Sequence, residues 1–303
     1  MSNHLYDGLL ATTDPTRQFA EIPGQKGVKT RTYSYQDVHD VSARFANTLA
    51  EWGLKPGDRV AVQVPKSIEA LMLYLATVRA GGVFLPLNTG YTANEVEYFV
   101  EDATPRIFIC APGDRDAYVA MAERLNVRLE TLGVWINHKT SAGSLTDTGL
   151  NAPTEFGNVA RDANDLAAIL YTSGTTGRSK GAMLSHDNLL SNSQALADLW
   201  QFSESDTLLH ALPIFHTHGL FVATNVTLLS GGSMVLLPGF NNDKVIENLP
   251  KSTAMMGVPT FYTRLLDDGR FTHELADHMR LFVSGSAPLL ADTHVQFEER
   301  TGK

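Results

Sequence analysis

Tyr171-Thr172-Ser173-Gly174-Thr175-Thr176-Gly177-Arg178-Ser179-Lys180-Gly181 places three glycines, five Ser or Thr hydroxyls and two cations in eleven residues. Such a composition suits a phosphate-binding loop. Glycines admit positive φ and bring backbone N–H groups close to an anion, the hydroxyls add donors, and Arg178 and Lys180 add charge. The apolar run 166–170 before it reads as a buried strand that fixes where the loop begins.

A Walker-type loop combines the same residue types, but its spacing G-x-x-x-x-G-K-[ST] fails here. Counting from Gly174, Ser179 stands at the second glycine position and Gly181 at the hydroxyl position. Downstream, 181–184 reads as extended, and a helix start appears only at Ser185-His186-Asp187, where Ser185 can act as N-cap. The predicted order is strand, loop, strand, so a P-loop phosphotransferase is disfavoured.

The pattern Y-T-S-G-T-T-G-x-x-K-G resembles the signature loop of the adenylate-forming enzymes, the superfamily of acyl-CoA synthetases, luciferases and peptide-synthetase adenylation domains. The resemblance implies that Thr172, Ser173, Gly174, Thr175, Thr176, Gly177 and Lys180 hold the phosphates of ATP, with Mg²⁺ shielding them and coenzyme A as the second substrate. A mobile Gly/Ser/Thr surface loop is the alternative from composition alone.

Outward from the loop, strand and helix patterns alternate. Val38, Val41, Phe45 and Leu49 recur at helical spacing between Ser34 and Gly53. Strands are expected at 59–64, 83–87, 106–110 and 166–170, with helices at 67–80, 94–102 and 116–126 between them, a mostly parallel α/β layout. The polar stretch 137–158 reads as a surface connection. Beyond a helix at 188–200, strands are expected at 208–212, 233–237, 254–258 and 279–284. The resemblance implies two interleaved α/β subdomains, one near 58–200 and one from 1–57 plus 201–303, with ligand between them.

The 303 residues carry 43% hydrophobic side chains and a net charge of -9, a globular composition without a Lys/Arg block for nucleic acid. No apolar run approaches the roughly 20 residues that cross a membrane, and no signal-peptide pattern opens the chain, which leads us to expect a cytoplasmic protein. Cys110, the single cysteine, lies in a predicted core strand and reads as an inert buried thiol.

His210-Ala211-Leu212-Pro213-Ile214-Phe215-His216-Thr217-His218-Gly219-Leu220 sets a His-x-His pair between an apolar strand and an apolar helix predicted over 220–229. Two imidazoles without a nearby Cys or carboxylate do not complete a zinc set, so no metal is expected there. The superfamily carries an aromatic-His-x-x-Gly segment that His216 matches, which implies a place for His216 beside the bond being made. His218 is open between a packed polar residue and a functional one.

Gly285-Ser286-Ala287-Pro288 closes the predicted strand 279–284, and ligands of open α/β sheets bind at such carboxyl ends. The resemblance puts these four residues against the adenine. Arg280 interrupts an apolar series, which fits either an anion-pairing guanidinium or a strand-start arginine reaching solvent. Residues 279–288 together with 215–220 resemble bacterial malonyl-CoA synthetases. That resemblance implies that Arg280, with Thr217 and His216, holds a small dicarboxylic acid, malonate or methylmalonate.

The resemblance covers essentially the whole chain, whereas members of the superfamily continue into a Y-G-x-T-E segment, a hinge and a small C-terminal domain that supplies the adenylation lysine. It therefore implies a chain without the C-terminal domain, at best a weak nucleotide binder by itself. Ligation of another small acid, or nucleotide binding without catalysis, are the other readings.

Overall fold

The computed structural model describes residues 2–11, 13–24, 28–135, 142–172 and 179–303. Along the chain the strands are β1 (Gln18–Ile22), β2 (Arg31–Ser34), β3 (Arg59–Gln63), β4 (Val83–Pro86), β5 (Ile107–Cys110) and β6 (Arg128–Thr131), then β7 (Leu166–Thr172), β8 (Lys180–Ser185), β9 (Thr207–His210), β10 (Ser233–Leu236), β11 (Ala254–Gly257) and β12 (Leu281–Ser284). They form two six-stranded sheets, ordered β6-β5-β3-β4-β7-β8 and β12-β11-β9-β10-β1-β2. Each is parallel except for one antiparallel edge pair, β7 with β8 and β1 with β2. The expected mixed, mostly parallel α/β class is therefore observed.

The chain divides into two units, Met1–Leu9 with Gln36–Asn192, and Leu10–Tyr35 with Ser193–Lys303. Set beside the expected bounds, the stretches 1–9 and 36–57 fall in the first unit and 193–200 in the second. For 36–57 the reason lies in the helix Tyr35–Glu51, whose Val38, Val41, Phe45 and Leu49 are buried as their spacing predicted. Phe45 packs against Trp135 with ring centroids 5.3 Å apart, and Asn47 Nδ2 donates to the carbonyls of Pro153 and Glu155.

In the first unit, β3, β4 and β5 are buried almost throughout, as parallel strands covered on both faces must be. The helix Ile68–Arg79 is apolar around most of its circumference and wholly buried, and it starts where Ser67 Oγ accepts from the Ala70 N–H. Thr92 and Glu95 form a reciprocal capping box on the helix Ala93–Ala103, whose Val96, Phe99 and Val100 join the core with Phe108 and Tyr118. Cys110 is buried in this core, and burial pushes its thiol up to about 12, which matches the expected inert cysteine. Within 137–158, expected as a plain surface connection, residues 137–141 lie outside the described part, and Ser144–Gly149 forms a short helix. Its Leu145 and Thr146 are buried, so the stretch contributes to the core.

In the second unit, Leu209, Val235, Met255, Tyr262, Phe271 and Phe297 form the core against β9, β10, β11 and β12. The strand order changes direction at β9: β10 lies on one side, β11 and β12 on the other. A crevice at the carboxyl ends of these strands is where open α/β sheets take ligands. Among the described residues no helix is long and apolar enough to cross a membrane.

Candidate functional site

The chain leaving β9 folds back on itself at once. Gly219 lies so close to Pro213 that a Cβ there would stand 2.0 Å from the Pro213 carbonyl oxygen, so the loop closes only on glycine. His210, at the carboxyl end of β9 and buried, places Nε2 2.8 Å from the Gly219 carbonyl oxygen, and Thr224 Oγ1 donates to the same oxygen at 3.0 Å. The segment His218–Thr224 is π-helical and then continues as the α-helix Asn225–Leu229. Wide turns of this kind concentrate at functional sites. The predicted helix 220–229 is present, with its first half wound more loosely than expected.

This closed loop carries Phe215, His216 and Thr217 on its outer side. His216 and Thr217 are exposed, whereas His218 is buried. From β12, Gly285 N–H donates to the Gly257 carbonyl at 3.0 Å, and Ser286 adopts a positive φ of 68°. That turn sets Ser286 Oγ 3.2 Å from His218 Nδ1. A Cβ on Gly285 would stand 3.1 Å from His218 Cε1, so the glycine admits the imidazole. The two segments meet in a cavity of about 390 Å³ whose lining includes Leu212, His216, Thr217, His218, Val258 and Ser286.

Desolvation holds both imidazoles, His216 and His218, below the ordinary histidine range. They are therefore mostly neutral near neutrality, each able to donate one hydrogen bond and accept another. No Lys or Arg lines this cavity among the described residues. Among those residues, moreover, no group of three His, Cys, Asp or Glu is placed to hold a metal ion.

Arg280 lies elsewhere. It precedes β12, level with Thr253 at the amino end of the sheet, where its N–H donates to the Thr253 carbonyl at 2.7 Å. Its guanidinium donates to both Asp206 carboxylate oxygens, at 3.1 and 2.9 Å, and to the Trp200 carbonyl at 2.8 Å. The four residues of β12 lie between it and Gly285, five steps or roughly 16 Å along the strand. The buried anion that compensates Arg280 is Asp206, only 3% exposed, and the arginine does not line the cavity. In this structure Arg280 ties the amino ends of β9, β11 and β12 together, as the strand-start reading of it expects, and it is not brought together with His216 and Thr217.

The glycine- and hydroxyl-rich loop belongs to the first unit. Ser173, Gly174, Thr175, Thr176, Gly177 and Arg178 lie outside the described residues. Its two ends are described: Thr172 is the last residue of β7 and pairs with Lys180, the first of β8, while Tyr171 pairs with Gly181. Thr172 and Lys180 are both exposed. Ala287 and Pro288 are also exposed, on the way to the helix Ala291–Thr301.

Sequence reasoning had singled out His216, Thr217 and Ser286, and these share the cavity. It missed Val258, which follows β11 with no distinguishing motif. His210 stood in the quoted segment without a role, and a histidine ending an otherwise apolar strand was the available signal.

Residues 15–303 match the AMP-binding enzyme family, and the chain belongs to that family. A mitochondrial malonate–CoA ligase of Mus musculus is 31% identical over 291 residues, covering 89% of this chain and 48% of that protein. The crystal structure of apo MatB from Rhodopseudomonas palustris is 53% identical with a TM-score of 0.93, covering all of this chain and 58% of that one. The structure of ATP-bound MatB from the same organism is 52% identical, with the same TM-score and coverage. The chain thus spans about half the length of the curated relative and somewhat more of the MatB chains.

Proposed function

We propose that this chain carries the nucleotide- and acid-binding part of an AMP-forming ligase that joins malonate to coenzyme A. A malonate carboxylate oxygen attacks the α-phosphorus of ATP. An O–P bond forms, the α–β anhydride bond breaks, and pyrophosphate leaves. The thiolate of coenzyme A then attacks the acyl carbon, a C–S bond forms, the mixed anhydride C–O bond breaks, and AMP leaves. Mg²⁺ enters with ATP as part of the substrate. Because both steps move negative charge, fixed donors and cations supply the stabilisation.

In this reading Thr172, Ser173, Gly174, Thr175, Thr176 and Gly177 wrap the departing pyrophosphate and Lys180 offsets its charge. Gly285, Ser286, Ala287 and Pro288 lie against the adenine. His216 stands at the reacting carboxylate, and the Thr217 hydroxyl orients the acid. His218, fixed by Ser286, couples the acid side of the cavity to the adenine side. The observation that carries the proposal is the shared cavity of His216, Thr217 and Ser286 at the carboxyl ends of β9, β11 and β12, in a chain of the AMP-binding family. The likeness to a malonate–CoA ligase supports malonate as the acid.

A second reading, ligation of another small carboxylic acid, is favoured by one observation. Arg280 is committed to Asp206, so the diacid loses the cation expected for its far carboxylate. The substitution His216→Asn in the intact protein tests the site itself. Acid-dependent pyrophosphate release should fall on the order of 100-fold, as for loss of a fixed donor at the reacting centre, while AMP affinity stays unchanged. An undiminished rate would remove His216 from the chemistry.

A further inference from the structure

The two ends of the glycine- and hydroxyl-rich loop are held by one helix. Tyr171, on the strand that leads into the loop, donates its hydroxyl to Asp102 Oδ2 at 2.5 Å. Ser179, on the far side, accepts at its carbonyl from the Tyr98 hydroxyl at 2.9 Å. Tyr98 and Asp102 belong to the helix Ala93–Ala103 and are four residues apart, so they project from one face of it. Phe99 of the same helix packs its ring on Tyr171 at 4.6 Å, and Tyr98 and Tyr91 pack on Phe99 at 5.3 and 4.9 Å. Phe99 is buried and anchored in the core of the first unit. Burial and the neighbouring Asp102 carboxylate both raise the Tyr171 hydroxyl above its ordinary range, so it stays protonated and donates.

Sequence-distant residues thus meet for a geometric reason. The antiparallel ladder aligns Thr172 with Lys180 and Tyr171 with Gly181. The helix adds a second constraint, one hydrogen bond to each arm just where the arms leave the sheet. Residues that flank a binding segment and are held in place by packing and hydrogen bonds preorganise it, and preorganisation appears as affinity.

We infer that Tyr98 and Asp102 are positioning residues for the phosphate loop, a two-point clamp that sets the affinity for the β- and γ-phosphates of ATP without touching the nucleotide. The inference rests on the proposed reading of that loop as the pyrophosphate clasp. It assigns a task to the helix Ala93–Ala103 beyond its place in the core. It also predicts a signature that separates a clamp from a merely structural contact: ATP, which reaches the loop with its outer phosphates, should respond to loss of the clamp, and AMP, which lacks them, should not.

The test is calorimetric titration of ATP and of AMP into the intact protein and its Tyr98→Phe, Asp102→Ala and Asp102→Asn variants, with a melting curve for each. Tyr98→Phe keeps the ring packing and removes only the hydroxyl, so it folds. Each of Tyr98→Phe and Asp102→Ala should weaken ATP roughly three- to tenfold and leave AMP unchanged, the size of one hydrogen bond lost. Asp102→Asn, which can still accept from Tyr171, should recover most of the loss. Equal weakening of ATP and AMP, or unchanged ATP affinity with a lowered melting point, would overturn the clamp while leaving the nucleotide reading in place. If the unaltered protein binds AMP but gains nothing from the outer phosphates of ATP, the clasp reading fails and the clamp with it.

Discussion

Ser286 Oγ lies 3.2 Å from His218 Nδ1, and this contact joins the turn after β12 to the π-helical segment after β9. Two loops 68 residues apart in sequence are thereby fixed to one another at the carboxyl edge of a parallel sheet. Gly285 is the residue that permits it. Placing a Cβ 3.1 Å from His218 Cε1, Gly285→Ala should push the imidazole away and impair acid and nucleotide binding together. Kinetics in which only one of the two KM values changes would contradict this coupling.

Gly219 is a harsher case. A Cβ 2.0 Å from the Pro213 carbonyl oxygen meets backbone, which cannot rotate aside as a side chain can. Gly219→Ala should cost about 2 kcal/mol or more by overpacking, visible as a lowered midpoint in urea unfolding with an unchanged slope. A midpoint equal to that of the unaltered protein would show that the loop opens freely.

The Arg280–Asp206 pair should behave as a structural tie. Asp206 keeps its bonds from Thr253 Oγ1 and Ser203 N–H when the arginine is removed, and the Arg280 side chain is 40% exposed. Arg280→Ala should therefore destabilise by about 1–2 kcal/mol, less than the loss of a fully buried pair. The preference for malonate over acetate should not move. A selective loss of malonate activity would return Arg280 to the substrate.

His186 gives the fold a pH dependence. It is fully buried, its Nδ1 accepts from the Leu5 N–H at 3.2 Å, and burial pushes its pKa down to about 4. The unfolded chain binds this proton near the ordinary value of about 6.5 and the folded chain does not. Stability from this group is therefore complete above about pH 6.5 and is lost progressively as the pH falls toward 4. Urea midpoints measured across that range should decline, and His186→Gln should flatten the decline.

The fold was legible wherever a pattern repeats over a local window. Val38, Val41, Phe45 and Leu49 marked their helix correctly because a 3.6-residue period is written in neighbouring positions. The ribbon β1 and β2 was not seen, since five and four residues carry little periodicity, and β1 pairs with β10 more than 200 positions away. For the site, glycine-rich punctuation located His216 and Ser286 because such turns are local. Arg280 was less legible for the opposite reason: a charge in an apolar series announces that it needs a partner, but not at which end of the strand the partner sits. Asp206, 74 residues earlier, was the missing information.

The central claim is acid activation with malonate in the cavity of His216, Thr217 and Ser286. Malonate-dependent exchange of labelled pyrophosphate into ATP by the intact protein, with acetate in parallel, tests it most directly. We expect exchange with malonate at least on the order of tenfold faster than with acetate, the gain from one added polar contact of about 1.4 kcal/mol. Exchange that is equally fast with acetate would favour the second reading, and no acid-dependent exchange with either would contradict the account.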